Sequence, residues 1–280
     1  MKINLAKSAG FCFGVKRAIE IALEAASSKK HVLMLGDIVH NEEVVRQVKE
    51  AGIRKIGRLK LTDSNALLIR AHGIDRKTFQ KAVRLGYKII DATCPMVKEI
   101  HRIAQDMEKE QRKVIVIGDR RHDEVRGIIG QLKGRAMVIE GARDIPLTTI
   151  HKIKKAGVVV QSTQNIDKVL AIVETLKDYI PDLKFFNTIC RPTRLKQEEI
   201  KTMPLENDVM IVIGSKTSAN TKRLYQISKS LNIRSYWLNS AQALRKDWFR
   251  DAKSVGITAG ASTPDSTTKS IIEHILSLHN

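Results

Sequence analysis

An internal repeat, marked by the only three cysteines of this 280-residue chain, most constrains what the sequence can fold into. Each cysteine lies 24 residues before a glycine that ends an apolar stretch, and the pairs are Cys12 and Gly36, Cys94 and Gly118, and Cys190 and Gly214. The stretches around the glycines read VLMLGDIVHNE, VIVIGDRRHDE and MIVIGSKTSAN, and they align without a gap. The chain therefore consists of three copies of one unit, each with one thiol.

The size and pattern of the repeat predict three similar α/β modules with small parallel sheets. Successive cysteines are 82 and 96 residues apart, which is the length of a small domain with its own core. Apolar strands alternate with helical patterns in each copy, as they do in parallel sheets with crossover helices. We predict modules at residues 13–94, 95–190 and 191–280, the last completed by residues 1–12. A pseudo-threefold, trefoil-like arrangement would turn equivalent positions toward a central cluster cavity.

Composition narrows the class of protein. The chain carries 49 Lys and Arg against 30 Asp and Glu, a net charge of +19, which indicates an anionic partner or substrate, or the well-solvated surface of a heat-stable protein. Aromatic residues make up only 4%, so we expect no nucleic-acid partner. The sequence has neither an 18-residue apolar run nor a signal-peptide pattern, and we expect a cytoplasmic protein that does not bind a membrane.

The cysteines are candidate metal ligands. Apolar residues recur at helical spacing after Cys12, and Pro95 after Cys94 suits the first turn of a helix. A thiol at a helix start is shifted toward thiolate, and three thiolates suit an iron–sulfur cluster or zinc. Structural zinc usually takes four ligands, and a cubane cluster with three cysteines keeps one iron open. A single cysteine of this kind is more often a small buried apolar residue, but three equal offsets favour a shared function.

Polar residues recur at two further slots after the repeat glycines. The first slot holds His40, His122 and Ser218, and the second holds Glu42, Glu124 and Asn220. His72 and Ser262 follow later strands of the first and third copies. Imidazole, hydroxyl and amide groups donate hydrogen bonds to phosphate oxygens, so we expect a polar ring that binds an anion. Position alone does not single out one carboxylate of the second slot, because a carboxylate at a helix start also favours the helix dipole.

The ordered motifs of the whole chain resemble those of the 4-hydroxy-3-methylbut-2-enyl diphosphate reductase family. They are GFCFGVKRAI, DIVHNEEVV, AHGID, DATCPMVKEIH, HDEVRGIIGQ, QST, TIC, GSKTSANTKRL and ITAGASTPD. A short motif such as AHG carries little information alone. Nine motifs in order, with the cysteines in place, are specific.

The resemblance implies an iron–sulfur oxidoreductase of the non-mevalonate pathway. Such an enzyme removes the allylic hydroxyl of 4-hydroxy-3-methylbut-2-enyl diphosphate with two electrons and two protons, and it forms isopentenyl diphosphate and dimethylallyl diphosphate. One [4Fe-4S] cluster would be held by three cysteines, with the fourth iron open to the substrate hydroxyl: Cys12, Cys94 and Cys190. Glu124 would donate the proton, and His122 and Ser162 would orient the hydroxyl. The diphosphate would be bound by His40, His72, Ser218, Asn220 and Ser262.

Four departures from the usual family wording stand near these residues. In QST, Ser162 replaces a threonine of the commoner Gln-Thr-Thr and keeps a hydroxyl. Ala219 replaces a serine or threonine, which leaves only its backbone N–H for the diphosphate. Asp123 stands where a proline commonly precedes the glutamate, so a second carboxylate lies beside the proposed acid. After Cys190 the chain reads RPTRLKQ where the family usually has Ala-Thr and, further on, Arg-Gln.

Two other functions remain open from the residues alone. One is a metal-dependent hydrolase of a phosphorylated substrate, with cysteines and histidines as mixed ligands. The other is a basic nucleic-acid-binding protein with structural thiols. For the reductase, the basic surface also suggests a ferredoxin- or flavodoxin-type protein as electron donor.

Overall fold

The computed structural model describes residues 1–28, 31–62 and 65–278. Within these ranges the chain forms twelve strands in three sheets, and every recorded strand pair is parallel. Helices connect the strands along the chain. The predicted α/β class with three small parallel sheets is confirmed.

The elements follow the predicted alternation. In chain order the strands are β1 (Lys2–Leu5), β2 (Val32–Leu35), β3 (Arg54–Ile56), β4 (Ala66–Ile69), β5 (Lys88–Asp91), β6 (Lys113–Ile117), β7 (Met137–Ile139), β8 (Lys155–Val160), β9 (Asp182–Phe185), β10 (Val209–Ile213), β11 (Ser235–Leu238) and β12 (Ser254–Ala259). The α-helices are α1 (Phe13–Ser28), α2 (Glu42–Glu50), α3 (Arg76–Arg84), α4 (Pro95–Lys109), α5 (Asp123–Ile129), α6 (Leu147–Ile150), α7 (Ile166–Tyr179), α8 (Arg191–Glu206), α9 (Ala219–Leu231) and α10 (Asp265–Ser277).

The three sheets share one strand order. They read β5-β4-β2-β3, β9-β8-β6-β7 and β1-β12-β10-β11. In each sheet the edge strand β5, β9 or β1 is the one that leads to a cysteine. The N-terminal strand β1 pairs with β12, the last strand of the chain, and thereby completes the third sheet.

The described chain groups into two compact units. The first unit comprises Met1–Lys16, Val39–Gln47 and Arg191–Asn280, and it contains the sheet of β1 and β10 to β12. The second unit comprises Arg17–Ile38 and Val48–Cys190, and it contains the other two sheets. The three-module division at residues 94 and 190 stays a prediction.

The central strands are buried on both faces. All five residues of β10 are buried, as are four of five in β6 and five of six in β8. Such strands read as continuous apolar runs because helices cover both sides of a parallel sheet. Burial of each valine or isoleucine side chain contributes about 1.5–3 kcal/mol to stability. The core therefore fixes the strands, and the loops at their carboxyl ends are free to carry function.

Helices cover the sheets with one apolar face. In α7 this face is formed by residues at spacings of three and four, namely Val169, Ile172, Val173 and Leu176. Three helices begin directly after a cysteine: α1, α4 and α8. No helix in the described part of the chain is both long and apolar enough to span a membrane.

Candidate functional site

The three cysteines are anchored by equivalent backbone hydrogen bonds. In each copy the cysteine N–H donates to a carbonyl in the loop that follows the neighbouring strand. The bonds are Cys12 to Ala261, Cys94 to Ala71 and Cys190 to Ser162, each 3.0 Å long. All three side chains are half-buried. The equal offsets in sequence thus correspond to equal positions in the fold of each copy.

Each cysteine stands directly before the first residue of a helix. Cys94 is the N-cap of α4, and Pro95 occupies the first turn, where a missing N–H costs nothing. The Val15 N–H donates to Cys12 Sγ at 3.5 Å. Amide donors and the positive end of the helix dipole stabilise a thiolate over a thiol. Thiolate is the form that binds soft metals.

Glu124 is a buried carboxylate with a defined partner. Its side chain is 2% exposed. The backbone N–H of Ser162 donates to Oε1 at 2.6 Å, and the Ser162 hydroxyl donates to Oε2 at 2.7 Å. Both carboxylate oxygens are therefore held by one residue of the loop after β8. Hydrogen bonds to a carboxylate are roughly twice as strong as neutral ones, so this pair fixes the position of Glu124.

His122 caps the helix that carries Glu124. Its Nδ1 accepts a hydrogen bond from the Glu124 N–H at 3.2 Å. A ring nitrogen that accepts carries no proton, so the neutral ring of His122 carries its hydrogen on Nε2. The rings of His122 and His72 meet edge to face, with centroids 5.5 Å apart. Two predicted substrate-binding histidines and the predicted acid are thus close together in the second unit.

An ion pair that the sequence did not predict connects the loops of these residues. Arg70 Nη1 lies 2.7 Å from Asp123 Oδ2, and both side chains are largely buried. Arg70 is two residues before His72, and Asp123 stands between His122 and Glu124. The guanidinium therefore offsets the charge of the extra carboxylate beside the proposed acid. The only signal in the sequence was an arginine at the end of the apolar run LLIR.

Burial separates the three residues of the second slot. Glu42 is exposed, and its Oε1 accepts a hydrogen bond from the Ser215 hydroxyl at 2.7 Å. Glu124 and Asn220 are 2% and 4% exposed. A carboxylate in water is an ordinary surface group, whereas a buried one must be stabilised by partners. The fold thus distinguishes Glu124 from Glu42, which the sequence did not.

The first unit contains predicted binding residues at the start of α9 and in the loop after β12. Ser218 is the N-cap of α9, with Oγ accepting from the Thr221 N–H at 3.3 Å. Ala219 is the first helical residue, and its N–H is among those left without an intrahelical acceptor. Ser262 is buried, and its hydroxyl donates to the His40 carbonyl at 3.1 Å. This unit therefore brings together Ser262 and the backbone of His40.

Asn220 carries a buried donor that the protein does not use. Its Nδ2 atom is buried, and none of the described residues accepts a hydrogen bond from it. An unsatisfied buried donor costs about 1–3 kcal/mol, so such a group indicates an acceptor supplied by a ligand. The N-terminus of a 13-residue helix favours an anion as that acceptor.

His101 lies on α4, seven residues after Cys94, outside the predicted ligand set. Burial lowers the pKa of His101 to about 4, so the ring is neutral at physiological pH. It packs on Gly73, whose φ of 73° favours glycine and where a Cβ would lie 3.0 Å from His101 Cε1. The glycine of AHGID thus admits the imidazole beside the loop of His72.

Comparisons with known proteins cover the whole chain. Residues 3–276 match the family model described as LytB protein. The protein from Aquifex aeolicus, 4-hydroxy-3-methylbut-2-enyl diphosphate reductase, is 40% identical over 267 residues, which is 94% of this chain and 92% of the relative. The protein of the same name from Geobacter sulfurreducens is 38% identical over 280 residues and covers 100% of this chain and 99% of its own.

Two solved structures are similar to this one. One is described as (E)-4-hydroxy-3-methyl-but-2-enyl diphosphate reductase, the terminal enzyme of the non-mevalonate pathway, with 38% identity, a TM-score of 0.73, and coverage of 99% of this chain and 100% of the other. The other is the E-1-hydroxy-2-methyl-but-2-enyl-4-diphosphate reductase from Plasmodium falciparum, with 29% identity, a TM-score of 0.90, and coverage of 97% and 87%.

Proposed function

Because the chain belongs to the LytB family, whose matched relatives are 4-hydroxy-3-methylbut-2-enyl diphosphate reductases, we propose that it catalyses the same reaction. The substrate loses its allylic hydroxyl as water, and two electrons and two protons balance the change. One proton leaves with the hydroxyl, and the other is added to the allylic carbon skeleton. The products are isopentenyl diphosphate and dimethylallyl diphosphate, the end of the non-mevalonate pathway.

The thiols of Cys12, Cys94 and Cys190 fit the iron–sulfur cluster that this reaction requires. Each is half-buried, each begins a helix, and each is anchored by an equivalent backbone bond. When bound, one [4Fe-4S] cluster with three cysteine ligands supplies the electrons and, at its fourth iron, a Lewis acid for the hydroxyl. The three cysteines are the residues that we assign as its ligands.

The single observation that carries the chemistry is the buried Glu124–Ser162 pair. The Ser162 hydroxyl donates to Glu124 Oε2 when the carboxyl group is ionised. When Glu124 is protonated, the same hydroxyl can accept that proton and donate its own to the leaving oxygen. Glu124 thus holds the proton, and Ser162 positions and relays it. The Nε2–H of neutral His122 is a further donor toward the substrate hydroxyl.

The diphosphate is the ligand that we assign to the remaining polar groups. In the first unit the donors are the Ser218 hydroxyl, the N–H of Ala219, the amide of Asn220 and His40. Ser262 becomes a further donor when its hydroxyl turns from the His40 carbonyl to the diphosphate. In the second unit, His72 is the corresponding donor. Support comes from the unused amide of Asn220 at the start of α9. A dianionic or trianionic diphosphate is the kind of acceptor that a helix N-terminus favours.

The charge of the chain and its reduced thiols indicate the type of electron donor and the cellular compartment. A net charge of +19 suits an acidic ferredoxin- or flavodoxin-type protein, which would deliver one electron at a time. We place the enzyme in the cytoplasm, where such donors and reduced thiols occur together.

Anaerobic purification tests this function and separates it from the two alternatives. We expect a brown protein with iron and acid-labile sulfide in equal amounts, near four of each per chain, as a [4Fe-4S] cluster requires. With a strong chemical reductant, it should convert the allylic diphosphate to both products. A colourless zinc protein that releases phosphate would instead support the hydrolase. Absence of both metals with steeply salt-dependent nucleic-acid binding would support the third function.

A further inference from the structure

The segment that leads to Cys12 is longer than the corresponding segments before the other two cysteines. Six residues separate the end of β1 from Cys12, two separate the end of β5 from Cys94, and four separate the end of β9 from Cys190. A longer connection has more conformations, so covalent geometry alone fixes Cys12 less well than Cys94. Gly10, within this segment, has a φ of 88°, a conformation that favours glycine.

A buried lysine of α8 holds this segment. Lys196 is 1% exposed, and its Nζ donates to three backbone carbonyls. The acceptors are Ser8, Gly10 at 3.1 Å and Ala259 at 3.0 Å. These three oxygens match the three N–H groups of an ammonium ion. Two of the acceptors lie in the segment before Cys12, and the third is the last residue of β12.

A second residue of the same helix holds the same segment. Glu199, three residues after Lys196, accepts a hydrogen bond from the Ser8 N–H at 3.1 Å and another from the Ser8 hydroxyl. Ser8 is therefore bound through its carbonyl by a cation and through its N–H and hydroxyl by an anion. The segment is also packed tightly on α10, because a Cβ at Gly10 would lie 2.5 Å from Asp265 Oδ1.

Burial of a lysine without hydrogen-bond acceptors or an ion pair costs free energy. A charged side chain removed from water must recover several kcal/mol through hydrogen bonds or ion pairs. Helix packing does not need an ammonium at this place, since a methionine of similar length would fill the same volume. What only the ammonium provides is the joint attachment of Ser8, Gly10 and Ala259.

We propose that Lys196 is a positioning residue for Cys12. It fixes the path of residues 6–11 so that the Cys12 thiol is presented in one place at the start of α1. The inference rests on the proposed function in one respect only, the role of Cys12 as a cluster ligand. Glu199 supports the same segment from the next turn of α8.

The full-length chain freed of metal tests this role through the reactivity of its thiols. Alkylation of the three cysteines is followed by mass spectrometry in the unchanged protein and in Lys196→Met. Loss of the charge-assisted bonds should make local opening of the segment before Cys12 easier by at least about 1.4 kcal/mol. Because opening exposes the thiol, the alkylation rate of Cys12 should rise about tenfold or more. Cys94 and Cys190 serve as internal controls and should stay within about twofold.

Three further variants separate positioning from general stability. Lys196→Arg keeps the cation and should restore most of the Cys12 protection. Lys201→Met removes an exposed lysine of the same helix and should change none of the three rates. Glu199→Gln should raise the Cys12 rate alone, by a smaller factor than Lys196→Met. If Lys196→Met does not fold, the Glu199→Gln result decides.

In the anaerobically reconstituted holoenzyme, Lys196→Met should lose iron to a chelator faster than the unchanged protein and Lys196→Arg. An equal rise in alkylation at all three cysteines, or no change at Cys12, would overturn the proposal. Neither the alkylation rates nor the rate of iron loss depends on turnover of the substrate. A protein that binds no cluster but still shows the Cys12-selective effect would refute the proposed function and leave the positioning role intact.

Discussion

The starts of α5 and α9 occupy the same place in two copies of the repeat, but they present opposite chemistry. At α5 the first turn contains Asp123 and Glu124, and the protein supplies partners for both carboxylates. At α9 the first turn contains no acidic residue, and the buried amide of Asn220 has no acceptor in the described part of the chain. At one helix start the protein supplies the partners of the polar side chains, whereas at the other the described residues leave one buried amide without an acceptor.

The helix dipole explains why this difference matters. A helix N-terminus carries about half a positive charge and favours an anion there. In α5 that anion belongs to the protein, as Asp123 and Glu124. In α9 the first turn contains no acidic residue. Under the proposed function, the same place in two copies would deliver a proton in α5 and bind the diphosphate in α9.

The largest effect is expected from removing the acid of α5. Glu124→Gln keeps the shape of the side chain and most of its hydrogen bonds but cannot deliver a proton. We expect kcat to fall by a factor of about 10² to 10⁴, typical of lost general acid catalysis, with KM nearly unchanged. Steady-state kinetics under anaerobic conditions measure both constants.

Glu42→Gln is the matched control, because Glu42 holds the same slot in the first copy but is exposed. It should leave kcat and KM near those of the unchanged enzyme. Near-normal turnover of Glu124→Gln would refute the assignment of the acid. A similar loss in both variants would show that the slot matters for the fold rather than for proton transfer.

The second-largest effect is expected from removing the unpaired amide at the start of α9. Asn220→Ala removes a donor that makes no hydrogen bond within the described protein. We therefore expect KM for the diphosphate substrate to rise about tenfold, the value of one hydrogen bond to a charged acceptor, while kcat changes little. The thermal midpoint of the ligand-free protein should stay the same or rise, because an unsatisfied buried amide is removed.

The combination of kinetics and melting distinguishes a binding role from a structural one. A lowered thermal midpoint with an unchanged KM would mean that Asn220 stabilises the fold and does not bind the substrate. Inorganic diphosphate offers a second readout, since it should raise the thermal midpoint of the unchanged protein more than that of Asn220→Ala.

A smaller effect is expected from breaking the ion pair between Arg70 and Asp123 at the start of α5. Asp123→Pro introduces a residue that the first position of a helix accepts, but it leaves Arg70 without the carboxylate at 2.7 Å. We expect the free energy of unfolding to fall by about 1–2 kcal/mol, measured by urea denaturation. The double variant Arg70→Gln with Asp123→Asn should lose less than the sum of the two single changes. Additive losses would show that the two charges do not stabilise each other.

Features set by neighbouring residues in the chain could be predicted from the sequence, whereas features set by contacts between distant residues could not. The sheets and the places of the cysteines were predictable, because buried parallel strands read as apolar runs such as VIVI and because the 24-residue offset recurs. The difference in burial between Glu42 and Glu124 was not predictable, since both lie in the first turn of a helix. It arises from packing against Ser162, 38 residues further along the chain.

Charged residues gave the least reliable signals. Arg70 and Asp123 are 53 residues apart, and nothing local marks them as partners. Lys196 lies in a polar helix segment, RLKQEE, where a lysine is normally exposed. Its burial follows from three backbone carbonyls that converge on it, and these belong to the loop before Cys12 and to the end of β12, both far away in sequence. Only the folded chain brings such acceptors together.

The smallest effect is expected from adding a hydrogen-bond donor for the anion at the start of α9. Ala219→Ser introduces a hydroxyl at the first position of α9, and serine is well tolerated near a helix start. One additional hydroxyl hydrogen bond contributes about 0.5–1.5 kcal/mol net, so KM should fall by a factor of about two to ten. The same substitution in the Asn220→Ala background should also lower KM, but by a different factor, because adjacent donors that share one diphosphate do not act independently. An unchanged or raised KM in both backgrounds would mean that the anion does not approach the first residue of α9, and the contrast with α5 would then rest on Asn220 alone.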